Sequence, residues 1–486
     1  MAGARIGAHK WFAGVLALGV AARLLVWLGA WPGLFYTDSW AYADAAYKGQ
    51  YLSDPLHPAG FPLFLHVLAL PGRSLAALTL VQHLIGLATG VVLYALLLAR
   101  GVKRGLAAAA AALVLLDGWA IALEQHLLAE ALFTLVLLAA LALAAWRGKP
   151  GSARLAGSGA LLAAAVLIRP VALFAVPVWL IYLLWTRPPL RSIAIAVLAC
   201  ALPLALYSVV HHAKQDSYGF TSASGWQLYG RVGEFVDCRG ARVAREVRPL
   251  CVPPKPGAGA LYYVFDPSSP ANRLFHGFSA EPAALAHSDR VLRRFAIAQI
   301  RAHPLDYARA VGSDFLRFLT PGAGSRGSSD RALELATVLN PAVRDRWFAG
   351  YRAPRASGAA RDYVRLVHAP RWLLALLALA SLAAVALPGA AAARREVFLL
   401  AGSGIAMLIG AAATSEFVLR YLEPSVPLIA AGGALACSAL AARRADMLAP
   451  ATPVSRPTED RTWPRPSPKR SPTQPAASSS PDRTSF

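Results

Sequence analysis

Ten apolar stretches constrain this chain more than any other feature. They fall at residues 11 to 30, 75 to 99, 105 to 122, 127 to 146, 155 to 168, 171 to 185, 192 to 210, 371 to 388, 396 to 412 and 424 to 442. A spanning helix needs roughly 20 apolar residues. The pattern therefore predicts an all-α membrane protein with about ten transmembrane helices. Composition agrees: 56% of the 486 residues are hydrophobic, the mean hydropathy is +0.47 and only 15% are charged, against about 25% in a soluble domain. The fifth and sixth stretches are short and joined only by Arg169-Pro170. The opening MAGARIGAHK has the basic character of a signal-peptide n-region. The apolar run after it is too long for an h-region and lacks a small-residue cleavage site before Trp31-Pro32, so it reads as a retained first helix.

Orientation follows from Lys and Arg in the short loops, which are retained on the cytoplasmic side. Arg5 and Lys10 precede the first stretch. Arg100, Lys103 and Arg104 follow the second, Arg147, Lys149 and Arg154 the fourth, and Arg187 and Arg191 the sixth. Arg394 and Arg395 follow the eighth, and Arg443 and Arg444 the tenth. All of these clusters fall inside if the N-terminus is inside, which predicts a multi-pass cell-membrane protein with both termini cytoplasmic. Residues 31 to 74 and 211 to 370 then face outward. The expected organisation is a transmembrane core over 1 to 210, an outer loop domain over 211 to 370 with helices at Pro282–Ala302 and Leu305–Leu319, closing helices over 371 to 442, and a cytoplasmic tail over 443 to 486. From about Ala449 that tail is dense in Pro, Ser, Thr and Arg and reads as disordered.

The net charge of +22 does not indicate nucleic acid, because the basic residues are scattered through short loops and the tail without forming one basic face. Cys200 and Cys437 lie in apolar stretches, whereas Cys238 and Cys251 share the large outer loop. An outward location predicts a disulfide between that pair; two unpaired thiols are the alternative.

Four short motifs carry candidate chemistry. The first outer loop reads Tyr36-Thr37-Asp38-Ser39-Trp40-Ala41-Tyr42, then His57-Pro58-Ala59-Gly60-Phe61-Pro62. Asp38 stands just beyond the outer end of the first helix, where a carboxylate could take a proton from an acceptor hydroxyl or could cap a helix over Ser39–Ala46. The turn after the third stretch carries Asp117-Gly118-Trp119 and then Glu124-Gln125-His126-Leu127-Leu128-Ala129-Glu130. His126 and Glu130, four apart, would share a helical face. Glu130 inside lipid is costly unless it faces a polar cavity or is hydrogen-bonded between packed helices. Arg169-Pro170 and Arg420-Tyr421-Leu422-Glu423-Pro424 fall at outer helix ends. There a guanidinium can grip phosphate oxygens or merely snorkel to the interface.

Together these stretches resemble the GT-C glycosyltransferase superfamily, in particular its protein mannosyltransferase and aminoarabinose transferase branch. The resemblance covers residues 10 to about 210 and, more loosely, the last helices; residues 211 to 370 match no family pattern. It implies transfer of a sugar from a polyprenyl-phosphate carrier to an extracytoplasmic glycan, lipid or protein. Asp38 would be the catalytic base and Glu130 its support, with Tyr42, His57, His126, Arg169, Arg420 and Tyr421 binding substrate or carrier. The commoner family form places an acidic residue directly after the loop aspartate, where this chain has Ser39. Metal assistance by paired carboxylates is thereby put in doubt, and a divalent cation is the one cofactor left open. His211-His212 is a lone pair without metal-ligand spacing, and no nucleotide fingerprint is present. A transporter or lipid flippase is the alternative reading; it would call for broken helices paired between two halves, and no such internal symmetry is visible.

Overall fold

The computed structural model describes residues 9–148, 150–239, 245–326, 330–387 and 393–448. The expected disordered tail from residue 449 lies outside the described residues. Among the described residues the elements are helical, and the one extended pairing is an isolated bridge between Leu34 and His126.

In chain order the first half comprises α1 (Lys10–Gly29), α2 (Thr37–Lys48), α3 (Gly60–Ala69), α4 (Leu75–Ala99), α5 (Arg104–Leu115), α6 (Gly118–Gln125), α7 (Glu130–Ala145), α8 (Ser152–Ile168), α9 (Ala175–Thr186) and α10 (Leu190–Gln215). The second half comprises α11 (Ser224–Gly233), α12 (Ala260–Phe265), α13 (Pro270–Phe275), α14 (Pro282–Ala302), α15 (Pro304–Leu319), α16 (Pro341–Trp347), α17 (Gly358–Leu366), α18 (Arg371–Ala386), α19 (Arg394–Thr414) and α20 (Val426–Leu448).

Six segments are long and apolar enough to cross a membrane: α1, α4, α10, Gly358–Ala386, α19 and Leu419–Arg444. The pair α5 and α6, bent by 44°, makes a seventh if it is one span. The chain is a multi-pass membrane protein on this ground. The ten apolar stretches of the sequence all fall on helices; the three beyond these seven are the shorter α7, α8 and the α9 segment, which spans Pro170–Thr186 with its 3₁₀ entry.

The third stretch was expected as one helix over 105 to 122, and it breaks instead. Ending α5 at Leu115 frees carbonyls that must find donors. Arg23, buried in α1, donates to Leu115 O at 2.7 Å, and the Tyr363 hydroxyl donates to Leu116 O at 2.8 Å. Asp117 caps α6 by accepting from Trp119 N and Ala120 N, and its other oxygen accepts from Ala369 N. The break is thus bonded from two distant parts of the chain, α1 and residues 363 to 369.

Close approach of α8 to α10 depends on small residues, as in many membrane helix pairs. A Cβ on Gly159 would stand 2.2 Å from Ala196 O, so only glycine fits. The segment 211 to 370 is not one separate body. Residues from Ala223 to Ala296, with Trp226, Tyr229 and Phe295 at the centre, build their own core. Leu335, Ala356, Ala360 and Val364 instead pack on Ala22, Val26 and Ile121 of α1 and α6. Cys238 and Cys251 are joined by a disulfide beside the first of these cores.

Candidate functional site

The site begins with the way α2 starts. Tyr36 is the residue before the helix, and its N–H donates to Ser39 Oγ at 2.8 Å, one half of a capping box. Asp38 is therefore the second residue of α2 and not its cap, which corrects the capping alternative and leaves its carboxylate free for other partners. The segment is fixed from far along the chain: Val338 N donates to Phe35 O at 2.9 Å, Phe35 N to Thr337 Oγ1 at 3.2 Å, and the Trp40 indole to Val338 O at 2.7 Å.

Asp38 Oδ2 accepts from Arg420 Nη2 at 2.8 Å and lies 3.8 Å from His57 Nε2. Arg420 sits in a 3₁₀ turn, Leu419–Tyr421, ahead of α20. Its guanidinium stands over the rings of Tyr36 at 5.0 Å and Tyr421 at 5.5 Å and approaches Glu130 to 3.6 Å. Glu130 opens α7, where a helix N-terminus favours a carboxylate, and is also ion-paired to Arg169. Arg169 ends α8 because Pro170 cannot continue the helix, and its guanidinium lies 5.7 Å from the Tyr421 ring. Tyr42, one turn beyond Asp38, packs on His57 at 4.6 Å between ring centres.

Seven of the eight residues singled out in the sequence are thus held together by these contacts: Asp38, Tyr42, His57, Glu130, Arg169, Arg420 and Tyr421. His126 is the exception. It lies in the turn between α6 and α7, so it does not share a helical face with Glu130, and its ring bonds to the carbonyls of Ala122 at 2.7 Å and Ala336 at 3.0 Å. Its contacts tie the backbone together. Glu124 and Gln125 likewise belong to a buried ionic cluster with Arg23 and His83, in which Glu124 contacts both at 2.8 Å.

Asp54 is the site residue that motif reading passed over. Its Oδ2 holds His57 Nδ1 at 2.8 Å, while Oδ1 accepts from the N–H of Leu56 and His57. The sequence signal was available: an Asp three residues before a His favours a side-chain-to-backbone turn that presents the ring.

Burial alone pushes the Asp38 carboxyl up, but the charges of Arg420, His57 and Arg169 outweigh it and hold it well below the usual carboxylate range. Burial disfavours the His57 imidazolium, yet Asp54 and Asp38 together raise the ring above its ordinary value. Apart from the guanidinium nitrogens of Arg169 and Arg420 that face Glu130, two buried donors of the site have no hydrogen-bond partner among the described residues, the Tyr42 hydroxyl and Arg420 Nε. A group rich in acceptor oxygens would satisfy both.

The surroundings of Asp38 do not suit a divalent cation. Ser39 stands where a second carboxylate would be needed and spends its hydroxyl on Tyr36 N, and the Arg420 guanidinium already meets the Asp38 carboxylate. Among the described residues no group of three or more His, Cys, Asp or Glu is placed to hold a metal.

No protein-family model matches the chain, and no curated protein matches it. Similar solved structures include the following two. One is the archaeal oligosaccharyltransferase AglB from Archaeoglobus fulgidus in complex with an inhibitory peptide and a dolichol-phosphate, 14% identical over 89% of this chain and 50% of that one, with a TM-score of 0.42. The other is an Archaeoglobus fulgidus oligosaccharyltransferase in the apo form, 13% identical over 90% of this chain and 52% of that one, with a TM-score of 0.41. The chain spans about half the length of these proteins.

Proposed function

We propose that the chain is a GT-C-type membrane glycosyltransferase that moves a sugar from a polyprenyl-phosphate carrier to a hydroxyl-bearing acceptor outside the cytoplasm. The observation that carries this reading is the meeting of Asp38, Glu130, Arg169 and Arg420, drawn from four separate parts of the chain, beside two unpartnered donors. Two guanidiniums beside a carboxylate match what the reaction requires: cations for the carrier phosphate and a base for the acceptor.

In this reading Arg420, and Arg169 beside it, hold the phosphate, and departure of the lipid phosphate needs no general acid. Asp38 takes the acceptor proton as the new glycosidic bond forms. In the resting site its basicity is suppressed by Arg420. A bound phosphate shares that guanidinium's charge, so donor binding raises Asp38's proton affinity at the point where it is needed. Glu130 keeps the two arginines apart and oriented.

The test is incubation of the purified, detergent-solubilised protein with a panel of polyprenyl-phosphate sugars, scoring release of the free carrier phosphate. Carrier release dependent on an added hydroxyl acceptor supports the reading. No release from any donor, with the lipid instead moved between leaflets of a proteoliposome, overturns it in favour of a flippase.

A further inference from the structure

Under the glycosyl-transfer reading, on which this inference rests, the proton taken by Asp38 needs somewhere to go, because a carboxylate surrounded by cations holds a proton poorly. His57 stands beside it as an exit. We propose that His57, oriented by Asp54, receives the proton from Asp38 and releases it to solvent, so that Asp38, His57 and Asp54 form a relay serving each turnover.

Four observations carry this. Asp54 Oδ2 holds His57 Nδ1 at 2.8 Å, which fixes Nδ1 as the protonated nitrogen of the neutral ring and leaves Nε2 as the acceptor. Nε2 faces Asp38 Oδ2 at 3.8 Å, a gap that a small side-chain rotation or one water closes. The His57 side chain is 18% exposed, against 16% for Asp38 and 3% for Glu130, so the ring reaches water and, unlike the carboxylate, is not held by Arg420. Tyr42 packs against one face of the ring and limits its rotation.

The proton balance is closed. The acceptor oxygen forms a bond to the sugar's anomeric carbon and the carbon–phosphate-oxygen bond breaks, with its electron pair leaving on the carrier phosphate. The hydroxyl proton passes to Asp38, then to His57 Nε2, then to bulk water. The charged groups that bear on the ring are Asp54, Asp38 and Arg169, together with the phenol of Tyr42. The two carboxylates favour the imidazolium and Arg169 opposes it. His57 must be neutral to accept, so turnover should rise with pH through its ionisation, which lies above the ordinary histidine value.

The experiment is a pH profile of kcat for the wild type, His57→Gln and Asp54→Asn, with the donor that the carrier-release panel identifies. His57→Gln should lower kcat roughly 10-fold or more, leave the donor KM within about threefold, and remove the ionisation from the profile. Asp54→Asn keeps an oxygen for the two backbone N–H groups, so the loop persists. Its amide faces Nδ1 as a donor, which moves the ring proton to Nε2; kcat should fall and the ionisation should shift to lower pH. Transfer by His57→Gln within twofold of wild type with the ionisation retained overturns the relay alone. Failure of the wild type to transfer sugar from any carrier overturns the glycosyl-transfer reading and the relay with it.

Discussion

Arg420 offers the sharpest test of the site, because it touches two carboxylates on separate helices, Asp38 of α2 and Glu130 of α7. In Arg420→Gln, Asp38 loses a charge-assisted hydrogen bond of 2.8 Å and Glu130 a cation at 3.6 Å, and the rings of Tyr36 and Tyr421 lose the guanidinium above them. Breaking a buried ion pair by removing one partner costs about 3–5 kcal/mol, mostly for the charge left behind. Glu130 keeps Arg169, and Asp38 keeps the more distant His57, so the lower end applies: about 3 kcal/mol. If Asp38 is the charge left uncompensated, removing it as well should restore most of the loss. Arg420→Gln with Asp38→Asn should be roughly 2 kcal/mol more stable than Arg420→Gln alone. Denaturant unfolding of the four detergent-solubilised proteins measures this cycle. A double variant no more stable than Arg420→Gln would falsify the coupling and with it the view that Asp38 and Arg420 form one unit.

Asp38→Asn should lower turnover by roughly 100-fold or more while carrier binding persists, since the amide keeps the shape and loses the proton affinity; turnover within about threefold of wild type removes Asp38 from the mechanism. Cys238→Ser should destabilise the segment that carries it by about 3 kcal/mol on the chain-entropy account of a closed loop of this size, read as earlier proteolysis around residues 238 to 251; unchanged proteolysis counts against it. Glu416, between α19 and the turn that carries Arg420, is raised by burial to about 7 despite Arg326 nearby. The folded state therefore binds more protons than the unfolded one between the ordinary carboxylate value and about pH 7, and stability falls as pH rises through that window. Glu416→Gln should flatten this dependence in unfolding titrations from pH 5 to 8, and a slope unchanged by the substitution refutes the assignment.

Helix placement was legible because apolar length is a direct readout of lipid as solvent, and the ten stretches fall on helices. The break at Leu115 was not, because it depends on donors at Arg23 and Tyr363 that are distant in sequence. The same blindness hid the ionic cluster around Glu124. Arg23 sits inside an apolar run, and nothing local says that its partner lies 101 residues on. His126 was misplaced because a spacing of four was read as one helix face, whereas the chain turns there to begin α7. Asp38, His57, Glu130, Arg169 and Arg420 were individually conspicuous as polar residues at helix ends. Their mutual distances were not, since loop geometry and the 331–351 segment that buttresses the first loop have no local signature.

The pairing of Asp38 with Arg420 also has a timetable. The two residues are 382 positions apart, so at a synthesis rate of about 5–20 residues per second the aspartate leaves the ribosome roughly 20–80 s before its partner. Until then its carboxylate lacks the Arg420 guanidinium, and for most of that interval the first loop also lacks its brace at Thr337 and Val338. The emerging chain is consequently without this ion pair through most of its biogenesis. A nascent chain stalled short of residue 420 should insert its early helices and still bind no carrier, and a chaperone or protease that samples the first loop has that whole interval in which to act.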